Sequence, residues 1–288
     1  MGRWDLKQVH GIGQSVRACG IEAKRLAKQG FQVYEKAADD FVTDVDRTLD
    51  RYLSEIFTTQ FPKDGVVTEE NNDSLAKFWQ PYPRLWCIDP LDGTQDFIKG
   101  DPGYAVMVGA LVDRTPIAGW IHAPEYGQLY YGGPELGLWH CQDDGPPVAM
   151  HVDRLTQSST VIVGLRDYEK YGTALQTQMP SLQFDTRLGS FGLKVLEVIQ
   201  GKAGLYVYFN NRVKVWDSVA PLALAQTAGL MCCDLDGRPI RYTADSLNPT
   251  TLAHLQPIVI GWQPMVETWL PHLRRIVKSS IPVKPSIP

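Results

Sequence analysis

Residues 86–100 read WCIDPLDGTQDFIKG, in which an apolar run ends at an aspartate and a second aspartate follows three residues later. Pro90 fixes its own φ angle and favours an extended backbone for the residues before it. The turn therefore aims Asp89 and Asp92 at a common point, and the Leu91 carbonyl between them has no evident partner in a β-ladder. Because Mg²⁺ prefers hard oxygen ligands, this segment is a candidate metal-binding loop.

Gly93 and Thr94 follow directly, and residues 94–99 have the composition of a short helix. Free N–H groups at the start of a helix bind phosphate oxygens, so one loop would hold a metal ion and a phosphate side by side. Asp-Gly is also a common turn signal, and the two aspartates can simply stabilise a turn. The segment alone leaves both interpretations open.

Further carboxylates lie at the ends of predicted strands and the starts of predicted helices. Glu69 and Glu70 follow a short strand in DGVVTEE, Asp46 lies at a helix start in VTDVD, and Asp217 heads a helix in VWDSVAP. A single aspartate at a helix start most often stabilises the helix dipole. Clustered carboxylates repel one another unless a cation compensates them, so their convergence on the loop aspartates would imply a metal ion.

The composition is that of an ordinary globular protein and excludes several functional classes. The 288 residues carry a net charge of −4, with 44% hydrophobic and 21% charged residues. This charge does not suit a protein that coats nucleic acid, and no run of about 18 apolar residues predicts a membrane span. Five cysteines, an odd number, and the absence of a visible secretion signal predict reduced thiols in a cytoplasmic protein.

Hydrophobic periodicity divides the chain into two halves. The N-terminal half has two helical patterns, followed by strands that read as an antiparallel meander. The predicted helices are residues 4–29 and a second helix that begins near 43–46; the predicted strands are a short strand within 64–70, which follows a turn and precedes the two glutamates, and 84–89, 104–112, 115–123 and 127–131. A polar segment at 142–154 indicates a boundary, and we predict subdomains 1–145 and 146–288.

In the second half strands and helices alternate, which favours a more parallel sheet covered by helices. The predicted strands are 160–165, 204–209 and 257–261, and the predicted helices are 167–179, 190–201, 216–229 and 264–278. The last eight residues, 281–288, are predicted to be extended or disordered.

Four segments resemble the signatures of the inositol monophosphatase superfamily. The members of this superfamily are Mg²⁺-dependent, lithium-sensitive phosphomonoesterases. These segments are DPLDGTQDF, TEE after a short strand, VTDVD before a helix, and WDSVAPLALAQTAG. They occur in the family's order and cover about residues 36–230. The resemblance implies an α/β layered sandwich: an antiparallel sheet in the N-terminal half, a smaller mixed sheet in the C-terminal half, and helices between and outside them.

The resemblance also implies two or three Mg²⁺ ions. The implied metal ligands are Glu69, Glu70, Asp89, the carbonyl of Leu91, Asp92 and Asp217. The first ion would be bound by Glu69, Asp89 and Leu91, the second by Asp89, Asp92 and Asp217, and a weaker third near Glu69 and Glu70. Asp46 and Thr94, with Glu69, would serve the water that attacks phosphorus, and the amides of Gly93 and Thr94 would hold the phosphate.

The charge of a phosphate monoester dictates the mechanism that such a site would use. The dianion repels hydroxide, and two metal ions would neutralise it, activate a bound water and stabilise the leaving group. The sequence places no histidine or cysteine as a nucleophile. We therefore expect in-line attack by water without a phosphoenzyme.

The residues on the substrate side favour a nucleotide. Inositol monophosphatases usually have a glutamate where this chain has Asn210, and Thr-Gln-Asp-Phe resembles the T-K-E-F of bisphosphate nucleotidases. The segment LGSFGLK resembles their G-S-S-x-L-K region. Lys194 and Arg212 would contact a second phosphate or stack beside a base, or they are ordinary surface charges. We predict adenosine 3′,5′-bisphosphate as the substrate.

Alternative substrates are an inositol phosphate or a fructose bisphosphate, and the third hypothesis is a non-enzymatic, metal-binding regulatory protein. The chain departs from the family pattern at Thr68, Gln95 and Val219-Ala220-Pro221, where Pro221 is expected in the first turn of its helix. None of these departures removes a predicted metal ligand. The expected partner is a small phosphorylated metabolite, without a nucleic-acid polymer or a membrane, and the family makes a homodimer plausible.

Overall fold

Helices and strands follow one another along the whole of the computed structural model, which describes residues 4–37, 40–152 and 158–279. The predicted tail at 281–288 lies outside these residues. The helices are α1 Leu6–Gln29, α2 Asp44–Gln60, α3 Thr94–Lys99, α4 Leu165–Gln178, α5 Phe191–Ile199, α6 Val215–Ala228 and α7 Gln263–Ser279, with 3₁₀ turns at Asn72–Trp79 and Pro124–Tyr126. The strands are β1 Val33–Ala37, β2 Asp40–Thr43, β3 Gly65–Thr68, β4 Leu85–Asp92, β5 Ala105–Val112, β6 Thr115–Ala123, β7 Gln128–Gly133, β8 Gly137–Gln142, β9 Val148–Ala149, β10 Thr160–Val163, β11 Gln183–Asp185, β12 Leu205–Tyr208, β13 Met231–Cys233 and β14 Ile258–Gly261.

The strands form three sheets. The largest has seven strands in chain order from β3 to β9; only β3 and β4 run parallel, and every other neighbouring pair is antiparallel. The second has the order β11-β10-β12-β14-β13, parallel in its first three strands and antiparallel in the rest. The predicted mixed α/β fold is confirmed. The third sheet, the hairpin β1–β2, was not predicted.

The two larger sheets and the helices stack in layers because each sheet buries both of its faces. Successive residues of a strand point to opposite faces, so Trp86 and Ile88 pack with α1 and α2, while Cys87 packs with α5 and α6. The inner face of the five-stranded sheet joins this same central core, and its outer face is covered by α4 and α7. Helices therefore lie between the sheets and outside them.

Two glycines let α6 lie unusually close to the large sheet. A Cβ on Gly109 would lie 2.6 Å from the backbone nitrogen of Ala220, and a Cβ on Gly119 would lie 2.4 Å from the Ala220 carbonyl oxygen. Pro221 follows at the seventh position of α6, so the expectation that it lies in the first turn is wrong. Because proline has no N–H, the helix forms no bond from this residue to the Asp217 carbonyl.

The division at residue 145 stays a prediction. Strand β9 lies beyond that position and still pairs with β8 of the first sheet. The five cysteines are all free and buried. Within the described ranges, the helices are either too short or too polar to cross a bilayer.

The close contact at α6 can be tested with a matched pair of glycine substitutions. Gly119→Ala should lower the free energy of unfolding by about 1–3 kcal/mol, because its new methyl group overlaps backbone atoms that have no free direction to move. A Cβ on Gly11 of α1 would face open space, with no packing neighbour within 4 Å, so Gly11→Ala should be neutral or stabilising by up to about 1 kcal/mol. Urea denaturation of both variants measures this difference, and equal stabilities would contradict the packing argument.

Candidate active site

A bulge at the end of β4 positions the first two carboxylates. Asp89 lies opposite Met107 and Asp92 lies opposite Ala105, so three steps along β4 face two steps along β5. The extra residue of a bulge breaks the alternation of side-chain directions. The Leu91 carbonyl accepts a hydrogen bond from the Thr94 hydroxyl at 3.1 Å. The loop therefore presents two aspartates and one carbonyl beside Thr94.

The third carboxylate comes from the second half of the chain. Asp217 is the third residue of α6, and one of its oxygens accepts a hydrogen bond from the backbone N–H of Lys214 at 2.5 Å. This bond fixes the carboxylate at the helix start. One ligand oxygen each from Asp89, Asp92 and Asp217 lies within 4.8 Å of the other two. The convergence that the sequence could not show is present in the structure.

The remaining oxygens of the two loop aspartates have unequal surroundings. Asp92 Oδ2 accepts from the Ser190 hydroxyl at 2.5 Å and from the Gly192 N–H at 2.9 Å. Asp89 Oδ1 accepts from the Leu91 N–H at 3.0 Å. Asp89 Oδ2 is buried, and no N–H or O–H group of the described residues donates to it. A buried oxygen without a donor is unfavourable, and a cation satisfies it.

The acidity of the cluster reflects this crowding. Burial, followed by the charges of Glu69, Asp92 and Asp217, raises the pKa of Asp89 well above its usual value. Burial and the charges of Glu69 and Asp92 raise the pKa of Asp217 to about 7. Without a cation, the cluster therefore holds protons at pH values where isolated carboxylates are ionised.

Glu69 and Glu70, at the end of β3, face a lysine that the sequence analysis missed. Lys36 Nζ lies 3.2 Å from Glu69 Oε1 and 2.5 Å from Glu70 Oε1. Burial favours the neutral amine, but the two glutamate charges outweigh it and raise the pKa of Lys36. Burial and the charge of Glu69 raise the pKa of Glu70 to about 7. Lys36 lies on β1, in which all five residues count as exposed although the Lys36 side chain is only 26% exposed, so no apolar pattern indicated this strand.

Asp46 and Thr94 form a hydrogen-bonded pair. Thr94 Oγ1 donates to Asp46 Oδ1 at 3.0 Å. Asp46 Oδ2 accepts from both the hydroxyl and the N–H of Thr43, which is the N-cap of α2. Burial raises the pKa of Asp46 to about 6 although these hydrogen bonds lower it. The capping motif therefore aims the carboxylate at the start of α3.

Gly93, at the N-cap of α3, has a φ angle of +92°. An L-side chain rarely adopts this conformation, and a Cβ at this position would also lie 2.7 Å from the Gly103 carbonyl oxygen. The short helix that begins at Thr94 thus depends on glycine to turn away from the aspartates.

The predicted substrate-side residues occupy different environments. Lys194 is buried on α5, and its Nζ donates to the Gly189 carbonyl at 2.7 Å. Burial lowers the pKa of Lys194. The negative charges of nearby aspartates, chiefly Asp92, act in the opposite direction. Asn210 lies on the loop before α6, where its Oδ1 accepts from the Tyr208 hydroxyl. The side chain of Arg212, two residues later, is exposed. Substrate contact by these three residues stays a prediction.

The donor set fits a hard divalent cation. The three converging groups are carboxylates, and the same loop adds a carbonyl; the described residues contribute no histidine or cysteine to the cluster. Oxygen-only donor sets suit Mg²⁺, Ca²⁺ or Mn²⁺ rather than softer metals. The unpartnered oxygen of Asp89 is where such an ion would relieve an unsatisfied charge.

Known proteins share both the sequence and the fold of this chain. The inositol monophosphatase family model matches residues 7–270. A 3′(2′),5′-bisphosphate nucleotidase CysQ from Salmonella typhimurium is 30% identical over 75% of this chain and 86% of its own length. An inositol-1-monophosphatase from Synechocystis is 26% identical over 79% and 78%. The solved structure of a Thermotoga maritima IMPase superposes with a TM-score of 0.78 at 19% identity, covering 96% of this chain and all of the other.

The family match covers the four segments that carry the predicted site carboxylates, and the fold match covers 96% of the chain. The chain therefore belongs to the inositol monophosphatase family and is a phosphoric monoester hydrolase.

Proposed function

We propose that this protein is a Mg²⁺-dependent phosphomonoesterase that hydrolyses a small phosphate ester by direct attack of water. The observation that carries the proposal is the convergence of Asp89, Asp92 and Asp217 around a buried oxygen that lacks a donor. A similar solved structure is an IMPase/NADP phosphatase in complex with Mg²⁺ and phosphate, which supports magnesium as the ion.

Asp89, Asp92 and Asp217 would hold one ion, and Glu69, Asp89 and the Leu91 carbonyl would hold another. When bound, magnesium neutralises phosphate charge and lowers the pKa of a coordinated water. A third ion near Glu69 and Glu70 would have to displace the ammonium of Lys36, which already pairs with both glutamates.

Asp46 and Thr94 would position the attacking water. Because the Thr94 hydroxyl directs its single proton toward Asp46 and the Leu91 carbonyl, a lone pair of its oxygen can accept a hydrogen bond from water, and a proton leaving the water would pass to Thr94 as the Thr94 proton passes to Asp46. The bond to Asp46 keeps that carboxylate close to Thr94, where it can receive the proton. Glu69 would complete the group around the water, and the backbone amides of Gly93 and Thr94 would hold the phosphate oxygens.

For the substrate, we infer adenosine 3′,5′-bisphosphate. The CysQ relative is a bisphosphate nucleotidase, and Asn210 lacks the charge of the glutamate usual in inositol monophosphatases. The exposed guanidinium of Arg212, on the same loop, is suited to bind a second phosphate. The inositol-1-monophosphatase relative supports inositol phosphate as the second candidate.

We infer that the enzyme is located in the cytoplasm. Five free, buried cysteines suit the reducing cytoplasm. A homodimer stays a prediction.

The metal assignment predicts that Asp89→Asn lowers kcat/KM at least about 10²-fold at saturating Mg²⁺, because the neutral amide binds a divalent cation weakly. Asp73→Asn, which removes an exposed carboxylate on the 3₁₀ turn Asn72–Trp79, is the matched control and should retain full activity. Phosphate release from adenosine 3′,5′-bisphosphate and from inositol 1-phosphate measures both variants. Wild-type turnover by Asp89→Asn would overturn the assignment.

The raised pKa values predict how pH and Mg²⁺ together affect stability. Glu70 and Asp217 have pKa values of about 7, above the ordinary values of 4.5 and 3.8, so the metal-free protein takes up protons on folding. The stability that these two groups contribute to the metal-free protein is therefore fully present at low pH. It is lost as the pH rises through about 7. Mg²⁺ binds the ionised cluster, so its addition should raise Tm more at about pH 8 than at about pH 6.

Thermal unfolding with and without MgCl₂ measures this difference, and Asp217→Asn should reduce it. An equal increase in Tm at both pH values would argue against metal binding by these carboxylates.

The substrate inference predicts that kcat/KM is at least about tenfold higher for adenosine 3′,5′-bisphosphate than for inositol 1-phosphate or fructose 1,6-bisphosphate. Tenfold corresponds to about 1.4 kcal/mol at the transition state. Phosphate release is measured with Mg²⁺, with and without LiCl, since a staphylococcal inositol monophosphatase of this fold was solved as an inhibitory lithium complex. Arg212→Gln should reduce the ratio of kcat/KM for adenosine 3′,5′-bisphosphate to kcat/KM for inositol 1-phosphate. Equal or faster turnover of inositol 1-phosphate would reject the nucleotide and leave the metal site unaffected.

A further inference from the structure

A second cleft lies between α1 and the strands β7 and β8, and none of its lining residues belongs to the metal site. It encloses about 380 Å³, which is within the range of small-molecule sites. One face of α1 forms one wall, with lining residues three or four positions apart. The buried residues Leu129 and Tyr131 of β7 and Cys141 of β8 form the largely apolar wall opposite.

Arg17 of α1 brings a positive charge into this cleft. Its side chain is only 14% exposed, and its ion-pair partner is Asp144 of the turn after β8, at 3.4 Å between Nη1 and Oδ1. The Asp144 side chain is 99% exposed, and such solvated pairs contribute only about 0–1 kcal/mol. Arg17 Nε is buried, and the described residues offer it no hydrogen-bond acceptor. The guanidinium therefore has donor capacity that the protein itself does not use.

The other polar groups beside Arg17 do not neutralise it. Burial raises the pKa of the Cys141 thiol, although the charge of Arg17 and a hydrogen bond with the Arg17 side chain lower it, so this neighbour stays uncharged. His122 is buried under α1, and its pKa falls to about 4, chiefly through burial and then through the charges of Arg17 and Lys24. Lys24 is already paired with Glu125 at 3.3 Å. Among the described residues that line the cleft, Arg17 is the one lysine or arginine, and its ion-pair partner there is Asp144.

These observations define the ligand. A guanidinium binds a carboxylate through two parallel hydrogen bonds, and one such pair balances one negative charge. Leu129, Tyr131 and Cys141 make the opposite wall largely apolar, while His10 and Gln14 add polar groups on the α1 side. We propose that this cleft binds a small organic monocarboxylate, with its carboxylate on Arg17 and its apolar body against Leu129 and Tyr131.

Benzoate is a suitable probe, and benzamide is its neutral counterpart of the same shape. Calorimetric titration of the full chain should give a Kd for benzoate below about 10 mM, with benzamide binding at least about tenfold more weakly. Arg17→Gln should weaken benzoate at least about tenfold. Asp144→Asn should strengthen it about two- to fivefold by removing the competing carboxylate. Arg25 is an exposed arginine of the same helix and pairs with Glu22. The control variant Arg25→Gln should leave the affinity for benzoate unchanged.

Three results would overturn the proposal: no binding of benzoate, equal binding of benzamide, or benzoate affinity unchanged in Arg17→Gln. If thermal denaturation shows that Arg17→Gln is not folded, two other measurements test the proposal. These are the affinity of benzamide relative to benzoate and the increase in benzoate affinity expected for Asp144→Asn. Loss of affinity in Asp144→Asn would count against it.

Discussion

Mutual repulsion among crowded carboxylates is the constraint on which this structure depends. Asp89, Asp92 and Asp217 present oxygens within 4.8 Å of one another. The positive charge of Lys194 acts on Asp92. Lys194 nevertheless donates its hydrogen bond to the Gly189 carbonyl rather than to Asp92. At low effective dielectric such repulsion is strong, and a protein tolerates it only when protons or a cation compensate the charge. The affinity for a divalent ion therefore comes from the same free energy that destabilises the empty cluster.

The scaffold holds the carboxylates together against this repulsion. The bulge in β4 fixes two of them, and α6 fixes the third because its first turn bonds the Asp217 carboxylate to the Lys214 N–H. The bare backbone at Gly109 and Gly119 lets α6 lie against the sheet that carries the bulge. Ser190, at the start of α5, donates to Asp92 and ties the second half of the chain to the same point. Packing far from the metal site thus sets its dimensions.

The positions of these carboxylates at strand ends and helix starts could be predicted from the sequence, because each depends on neighbouring residues, but their convergence could not. Rigid spacing in DPLDGT fixes Asp89 and Asp92, and helix starts place Asp46 and Asp217. Lys36 and Ser190 were missed for a physical reason: exposed β1 has no apolar period, and a hydroxyl at an N-cap is identical in sequence whether or not it also binds a carboxylate 98 positions away. Pro221 was misplaced because five residues of the predicted helix 216–229 already precede it, which is more than one turn of 3.6 residues; in the structure six residues of α6 precede it.

Substrate choice follows a different logic from the metal site. The proposed metal cluster would recognise what all phosphate monoesters share, so its residues carry no information about the leaving group. Discrimination must come from groups outside the cluster, and these differ in how they are held. Lys194 is buried and bonded to the Gly189 carbonyl, so reaching a substrate would mean breaking that bond. Asn210 and Arg212 lie instead on the loop that leads into α6 and Asp217. Any rearrangement of this loop to fit a substrate would act directly on Asp217, the proposed metal ligand, and would therefore couple specificity to catalysis.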